Sequence, residues 1–373
     1  MSTDTSPSLM KDGLNSAAVS RIATSLQQLV PGFNAKRFHK NALIGIDALE
    51  LKQRVHHIIQ HLHQEFDLPF KKLSRYLQDL PEVWDAGAAD DSKAMFAAWP
   101  VMDYVAVHGL QDPKESLKTL EKLTPLFTAE FAIRPFIQQH YQQTYSQLLK
   151  WCEHDSEHVR RLASEGSRPR LPWGMRLPEF ILNPQPLKPI LQALNQDESL
   201  YVRRSVANNI NDITKDNPDW AIDLCQEFLI NQDEKTDWIV KHALRSLIKA
   251  GDQRVFPLLG YTNNAQVELH NFKLSKKSIS VGDSLGFSFS LSSTKTSQKV
   301  VVDYVIYFMR ANGSLSAKVF KLKNIEIKKG SEILFEKKHS FKPITTRSYY
   351  SGKHQIAVQV NGKEFNRLDF TLR

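Results

Sequence analysis

The chain has 373 residues, 41% of them hydrophobic and 24% charged, a composition that excludes dominant disorder and leaves room for two or three domains. Its net charge of +9 is unevenly spread, because residues 261–373 hold 19 Lys and Arg against 8 Asp and Glu while the residues before them are nearly neutral. A basic module after a neutral one points to a polyanion, nucleic acid first, although lysine is also a common aid to solubility. No apolar run approaches the ~18 residues of a membrane span, so no membrane partner is expected. The opening Met1-Ser-Thr-Asp-Thr-Ser-Pro has neither the basic nor the apolar stretch of a signal peptide. Cys152 and Cys225 are too few and too far apart for a disulfide framework or a cysteine-based zinc site. The expected compartment is the reducing cytosol.

Residues 1–18 are small and polar and read as a mobile tail. From 19 to 260 the apolar residues recur at helical spacing, as in Val55, Ile58, Ile59 and Leu62, with prolines such as Pro31, Pro69, Pro81, Pro100 and Pro113 at the boundaries. The segment Thr128-Ala-Glu-Phe-Ala-Ile-Arg-Pro-Phe136 reads as one more helix, with Glu130 at its start. Four histidines between His56 and His63 fall on a mixed helix face and read as ordinary helix residues rather than metal ligands.

The second half of this region repeats. Glu157-His-Val-Arg-Arg-Leu-Ala-Ser-Glu165 aligns with Leu200-Tyr-Val-Arg-Arg-Ser-Val-Ala-Asn208, and a weaker copy is Asp237-Trp-Ile-Val-Lys-His-Ala-Leu-Arg-Ser246. Val159, Val202 and Val240 are equivalent, at spacings of 43 and 38. Acidic links precede each copy, beginning at His154, Asn195 and Asn231. Helix, acidic turn, helix at about 40 residues is the pattern of HEAT-like α-solenoids. After Gly260 the texture changes to alternation, as in Leu285-Gly-Phe-Ser-Phe-Ser-Leu291 and His354-Gln-Ile-Ala-Val-Gln-Val360, with turn signals at Gly282, Asn312-Gly and Asn361-Gly. About seven strands over residues 265–373 predict an immunoglobulin-like sandwich without a disulfide. The fold class is therefore multidomain, an α-solenoid of HEAT-like repeats followed by a β-sandwich.

Arg160, Arg161, Arg203 and Arg204 occupy the same place in adjacent repeats. Stacked repeats would make them a ladder suited to phosphates; Arg160 and Arg203 are equally suited to holding the acidic turns of their own repeats, and Arg161 has Glu165 four residues on. The stretch Glu165-Gly-Ser-Arg168-Pro-Arg170-Leu-Pro-Trp173-Gly174 interrupts the repeat. Prolines and glycines shape it into a defined loop that brings together a carboxylate, two arginines and a tryptophan; the plainer alternative is a tryptophan packed between repeats.

The block Arg-Arg-Leu-Ala-Ser-Glu-Gly-Ser-Arg-Pro-Arg-Leu-Pro-Trp-Gly, with the later Val-Arg-Arg-Ser-Val-Ala-Asn-Asn-Ile-Asn-Asp, resembles the AlkC branch of the AlkC/AlkD DNA alkylation-repair glycosylases. These are HEAT-like-repeat enzymes of bacteria, some with a C-terminal immunoglobulin-like domain. The resemblance covers about residues 19–260. It implies hydrolysis of the N-glycosidic bond of cationic N-alkylated bases, chiefly 3-methyladenine and 3-methylcytosine, in double-stranded DNA. It implies a monomer acting in the bacterial cytoplasm at the nucleoid, with no metal or other cofactor and no need to flip the lesion. By resemblance the catalytic role falls to Glu165 and Trp173. Glu130 and Asp212 are the further carboxylates, each with a plainer alternative: Glu130 as a first-turn acid at a helix N-terminus, Asp212 as part of a polar helix end. The AlkD branch uses a Trp and an Asp four apart on a helix; Trp99 and Asp103 have that spacing, but Pro100 is expected to break the helix there, so they are secondary candidates. Arg161, Arg168, Arg170 and Arg204 are the expected phosphate contacts, and Lys321 and Lys323, on one face of a strand, are expected along the DNA backbone. The competing reading is a non-catalytic HEAT-repeat scaffold that binds DNA or protein.

Overall fold

The computed structural model describes residues 9–230, 233–293 and 296–373, which fall into two compact units, Met1–Ala243 and Leu244–Arg373. Asn231 and Gln232 of the third acidic link, and residues 1–8 of the expected tail, lie outside the described residues.

The first unit is helical throughout. Its second half is built from pairs: Tyr141–Trp151 with Glu157–Gly166, Lys188–Leu194 with Leu200–Ile213, and Pro218–Leu229 with Glu234–Ala243. The second helices of the three pairs stack side by side. The valines at equivalent positions are the reason: Val159, Val202 and Val240 are all buried in the stack. Burying each helix against its neighbour supplies the core that no single repeat has.

Two expectations are corrected here. The tail is shorter than predicted, for Met10–Gly13 form a 3-10 turn and a helix begins at Ser16. Leu14 and Ala18 are fully buried, and the buried Arg54 guanidinium donates to the carbonyls of Lys11 and Leu14 at 3.1 Å each. Apolar burial and that hydrogen bonding order the segment. The helix expected over 128–136 is instead a turn carrying Glu130 and then a helix, Arg134–Gln139. Pro135 accounts for this: its ring and missing N–H suit the first turn of a helix and disrupt an interior.

The second unit is a sandwich of eight strands among the described residues: β1 (Glu268–Leu274), β2 (Ser278–Ile279), β3 (Ser284–Ser293), β4 (Gln298–Met309), β5 (Leu315–Ile327), β6 (Ser331–Ser340), β7 (Gly352–Val360) and β8 (Lys363–Leu372). One sheet has the order β1-β3-β6, the other β2-β8-β7-β4-β5. Alternate residues face inward, Phe287, Phe289 and Leu291 from one sheet against Val302, Tyr304 and Ile306 from the other. The Asn361-Gly362 turn has positive φ at both residues, 45° and 76°, the conformation that makes Asn-Gly a hairpin signal.

The boundary also moves. Residues 244–260, expected to end the solenoid, belong to the sandwich unit. Gly251 and Gly362 meet backbone to backbone, so that a Cβ on Gly362 would lie 2.1 Å from the Gly251 Cα. Tyr261 accepts from Asn324 at 2.6 Å, and Gln253 donates to the Asn361 carbonyl at 2.8 Å. These contacts join residues far apart in sequence, which periodicity does not register. Lys321 and Lys323 are exposed on β5, on either side of a shift in its register against β4.

Candidate active site

Three segments of the helical unit meet. The helix Glu157–Gly166 carries Glu165 in its last turn, and the turn bearing Glu130 packs against that end. Gly166 permits the approach, since a Cβ there would stand 2.5 Å from the Ile133 side chain. The third segment is the end of the helix Leu200–Ile213, which carries Asp212.

The three carboxylates are tied together by two arginines. Arg161 donates to Glu130 at 2.8 Å and to the Thr128 hydroxyl at 3.0 Å, and its Nη2 lies 3.5 Å from Glu165. Arg168 bridges the other pair, with Nη1 2.6 Å from Glu165 Oε1 and Nε 2.8 Å from Asp212 Oδ2. Lys215 adds a bond to Asp212 at 2.9 Å. Glu165 and Asp212 are 5% and 2% exposed, so this is a buried network, in which each charge depends on its partners. Burial works against the charge on Arg161, but the carboxylates of Glu165 and Glu130 more than offset it and hold its pKa above the ordinary arginine value. Its guanidinium also lies 4.7 Å from the centre of the Tyr201 ring.

The loop after Gly166 turns sharply at Leu171-Pro172-Trp173-Gly174. The Gly174 amide donates to the Leu171 carbonyl at 3.2 Å, and Trp173 has φ 61°. Pro at the second position and positive φ at the third make a type II turn, whose third position normally holds glycine. A tryptophan there carries a strain of about 1–2 kcal/mol. Its side chain is 56% exposed, so burial of the ring does not offset that strain. The alternative of a tryptophan packed between repeats is therefore corrected.

Arg134 closes the loop from below. It is fully buried and donates through Nε to the Met175 carbonyl at 2.6 Å, and through Nη1 and Nη2 to the carbonyls of Gly166 and Arg168 at 2.8 Å each. Burial, then the neighbouring charge of Arg168, lowers its pKa to about 10, with the nearby carboxylates acting the other way.

An open recess of about 310 Å³ lies against this network. Phe96, Trp99, Phe127 and Phe131 form its aromatic wall, Glu130 and Glu165 its acidic side, and Met10 and Trp173 part of its rim. Trp99 stands between Phe127 and Phe131, with ring centres 5.6 and 5.1 Å away. Asp212 is not in the recess lining and reaches it through Arg168. Trp99 donates to Asp103 at 2.9 Å. The expected break at Pro100 does not occur, because the helix Trp99–His108 starts at Trp99 and places Pro100 in its first turn, where a missing N–H costs nothing. Asp103 lines a smaller cavity of about 120 Å³ that shares Trp99, Phe131 and Trp173 with the recess. Burial raises its pKa from 3.8 to about 7, against the Trp99 hydrogen bond and the charge of Lys52. Both sets of candidates thus share one neighbourhood.

The arginine ladder is corrected. Arg160 donates to the carbonyls of His154 and Asp155 and pairs with Asp197 at 2.6 Å; Arg203 donates to the carbonyls of Asp197 and Glu198. Both hold the acidic turns, because the carbonyls five and six residues back lie within reach of the guanidinium. Arg168 is 7% exposed and consumed by its two carboxylates, and Arg161 is likewise turned inward. Arg170 makes a bidentate pair with Asp216, 2.6 Å in both bonds. Arg204 is exposed. Sequence reasoning did not find Arg134, Thr128, Tyr201, Lys215 or the phenylalanines of the aromatic wall, and it reached the wall's Trp99 only as a secondary candidate through its spacing from Asp103.

Residues 268–373 match the family described as the C-terminal Ig-like domain of the uncharacterised protein YhaZ. The whole chain is 39% identical over 363 residues to the uncharacterised protein YhaZ of Bacillus subtilis, covering 97% of this chain and 98% of that one. The solved structure of the Pseudomonas fluorescens alkylpurine DNA glycosylase AlkC, bound to DNA containing an abasic-site analogue, is similar with a TM-score of 0.91 at 38% identity, over 98% of this chain and 100% of that one. The chain belongs to the AlkC family, in the form with a C-terminal immunoglobulin-like domain.

Proposed function

We propose that the protein is a monofunctional DNA glycosylase that removes cationic N3-alkylated bases, 3-methyladenine and 3-methylcytosine, from double-stranded DNA. The observation that carries this reading is the convergence of Glu130, Glu165 and, through Arg168, Asp212 beside an exposed Trp173 on an open recess. Its similarity to a DNA-bound alkylpurine glycosylase supports the same choice.

An N3-alkylated base carries a positive charge and leaves as a neutral molecule, taking the electron pair of the glycosidic bond. Strong acid catalysis is therefore not needed, and the reaction calls for no metal or organic cofactor. The sugar becomes oxocarbenium-like as the bond lengthens, and water adds at C1′ with loss of one proton. Glu130 and Glu165 face the recess, where they stabilise that positive charge and orient the water or take its proton. Asp212 adds a third negative charge from behind Arg168. Trp173 and the wall around Trp99 present aromatic faces to a cation, worth ~1–2 kcal/mol. The recess is open, which suits attack on a nucleotide that is not flipped into an enclosed pocket. Arg170 and Arg204 in the helical unit, and Lys321 and Lys323 on the sandwich, supply phosphate contacts. The protein works as a monomer on the bacterial nucleoid.

The test is release of free base, in EDTA, from a duplex with a single 3-methylcytosine and from methylated DNA scored for 3-methyladenine. Release of either base, leaving an abasic site, supports the reading. Salt-dependent binding without release of either base refutes it and leaves a scaffold. Lys321→Ala with Lys323→Ala lowers the salt dependence of binding by about two in slope if both touch phosphates.

A further inference from the structure

We infer that Lys52 and Arg134 are positioning residues that hold Trp173 in its outward, left-handed conformation over the recess; the inference rests on the reaction proposed above. Trp173 sits where a type II turn calls for glycine, and its ring is more than half exposed. Neither backbone preference nor burial of the ring explains that state, so it must be imposed from outside the turn.

Two cations from other segments do this. Lys52, on the helix Leu51–Glu65, donates to the carbonyl of Trp173 itself. It is an exposed lysine without a carboxylate at ion-pair distance among the described residues, and the hydrogen bond described for it goes to that carbonyl. Arg134 grips the loop on both sides of the turn, at Gly166 and Arg168 before it and Met175 after it. A buried guanidinium whose described hydrogen bonds all go to carbonyls fixes backbone in three places, which the single ammonium of a lysine does not reproduce. Together they hold the Trp173 carbonyl and the loop on both sides of the turn, so the flanking backbone cannot shift to let Trp173 leave positive φ.

The test measures single-turnover base release, affinity for abasic-site DNA against salt, and hydrogen exchange of the Leu171–Met175 amides. Lys52→Ala is expected to slow release on the order of 10-fold, the rate equivalent of one charge-assisted hydrogen bond. Its affinity and salt slope stay at wild-type values, and exchange in the turn rises. Arg134→Lys raises the exchange further. In a Trp173→Gly background, where the turn accepts positive φ freely, Lys52→Ala adds no further loss. Unchanged exchange, a fully additive loss in that background, or a weaker affinity with a salt slope reduced by about one at unchanged rate would each overturn the inference, the last by making Lys52 a phosphate contact. A wild-type protein that releases no base would defeat the reaction, while the exchange measurement still decides whether the anchors exist.

Discussion

Arg168→Met separates two roles that the loop motif allows for this residue, a phosphate contact and an internal bridge. The substitution keeps much of the side-chain volume and removes the charge. The structure then loses two charge-assisted hydrogen bonds of 2.6 and 2.8 Å, and two carboxylates at most 5% exposed lose a counter-ion. Removing one partner of a buried ion pair costs about 3–5 kcal/mol. Lys215 at 2.9 Å from Asp212 and Arg161 at 3.5 Å from Glu165 remain, so the low end of that range, about 3 kcal/mol, is expected. For a unit of this size that lowers the melting temperature by roughly 6–12 °C. Calorimetry of the full chain reads the shift in the transition of the helical unit, and DNA binding against salt reads the phosphate role. The expected result is a lower melting temperature, slower base release and an unchanged salt slope. A variant as stable as wild type with a salt slope reduced by about one would refute the bridge and restore the phosphate contact.

Other outcomes follow from the same geometry. Glu165→Gln removes a negative charge facing the recess, so base release should fall on the order of 10²–10³-fold while affinity for DNA holds or rises; parallel loss of both would reduce Glu165 to a structural role. Asp103→Asn keeps an acceptor for Trp99. The Asp103 pKa is raised by burial to about 7, so the folded state favours its protonated form and wild-type stability falls as pH rises from about 4 to 7. Thermal melts should therefore show the Asp103→Asn variant more stable than wild type at pH 8 and not at pH 4, and equal shifts at both would sink the argument. Leu14→Ala should destabilise by about 2–5 kcal/mol, as for other fully buried leucines, and an unaltered urea midpoint would return these residues to a mobile tail.

The three-copy repeat, the change to alternation after Gly260 and the Asn361-Gly362 turn were legible because each depends on local periodicity or local backbone conformation. Those signals placed a helical stack before a sandwich and singled out the Glu165–Trp173 loop. The equivalence of Val159, Val202 and Val240 was visible for the same reason, since a buried position recurs with the helix that buries it. What each arginine does was not legible. Arg160 and Arg161 are adjacent and chemically identical, yet a step of about 100° around the helix sends one to the acidic turn and the other to Glu130. Arg168 and Asp212 are 44 residues apart, and Arg134 reaches carbonyls 32 to 41 residues away, pairings that no local pattern encodes. By itself the sequence determined the architecture, the loop and the residue types available for chemistry. Only the tertiary structure decided which charges neutralise one another and which remain turned toward a ligand, because a charge's fate depends on what packing brings within about 4 Å of it.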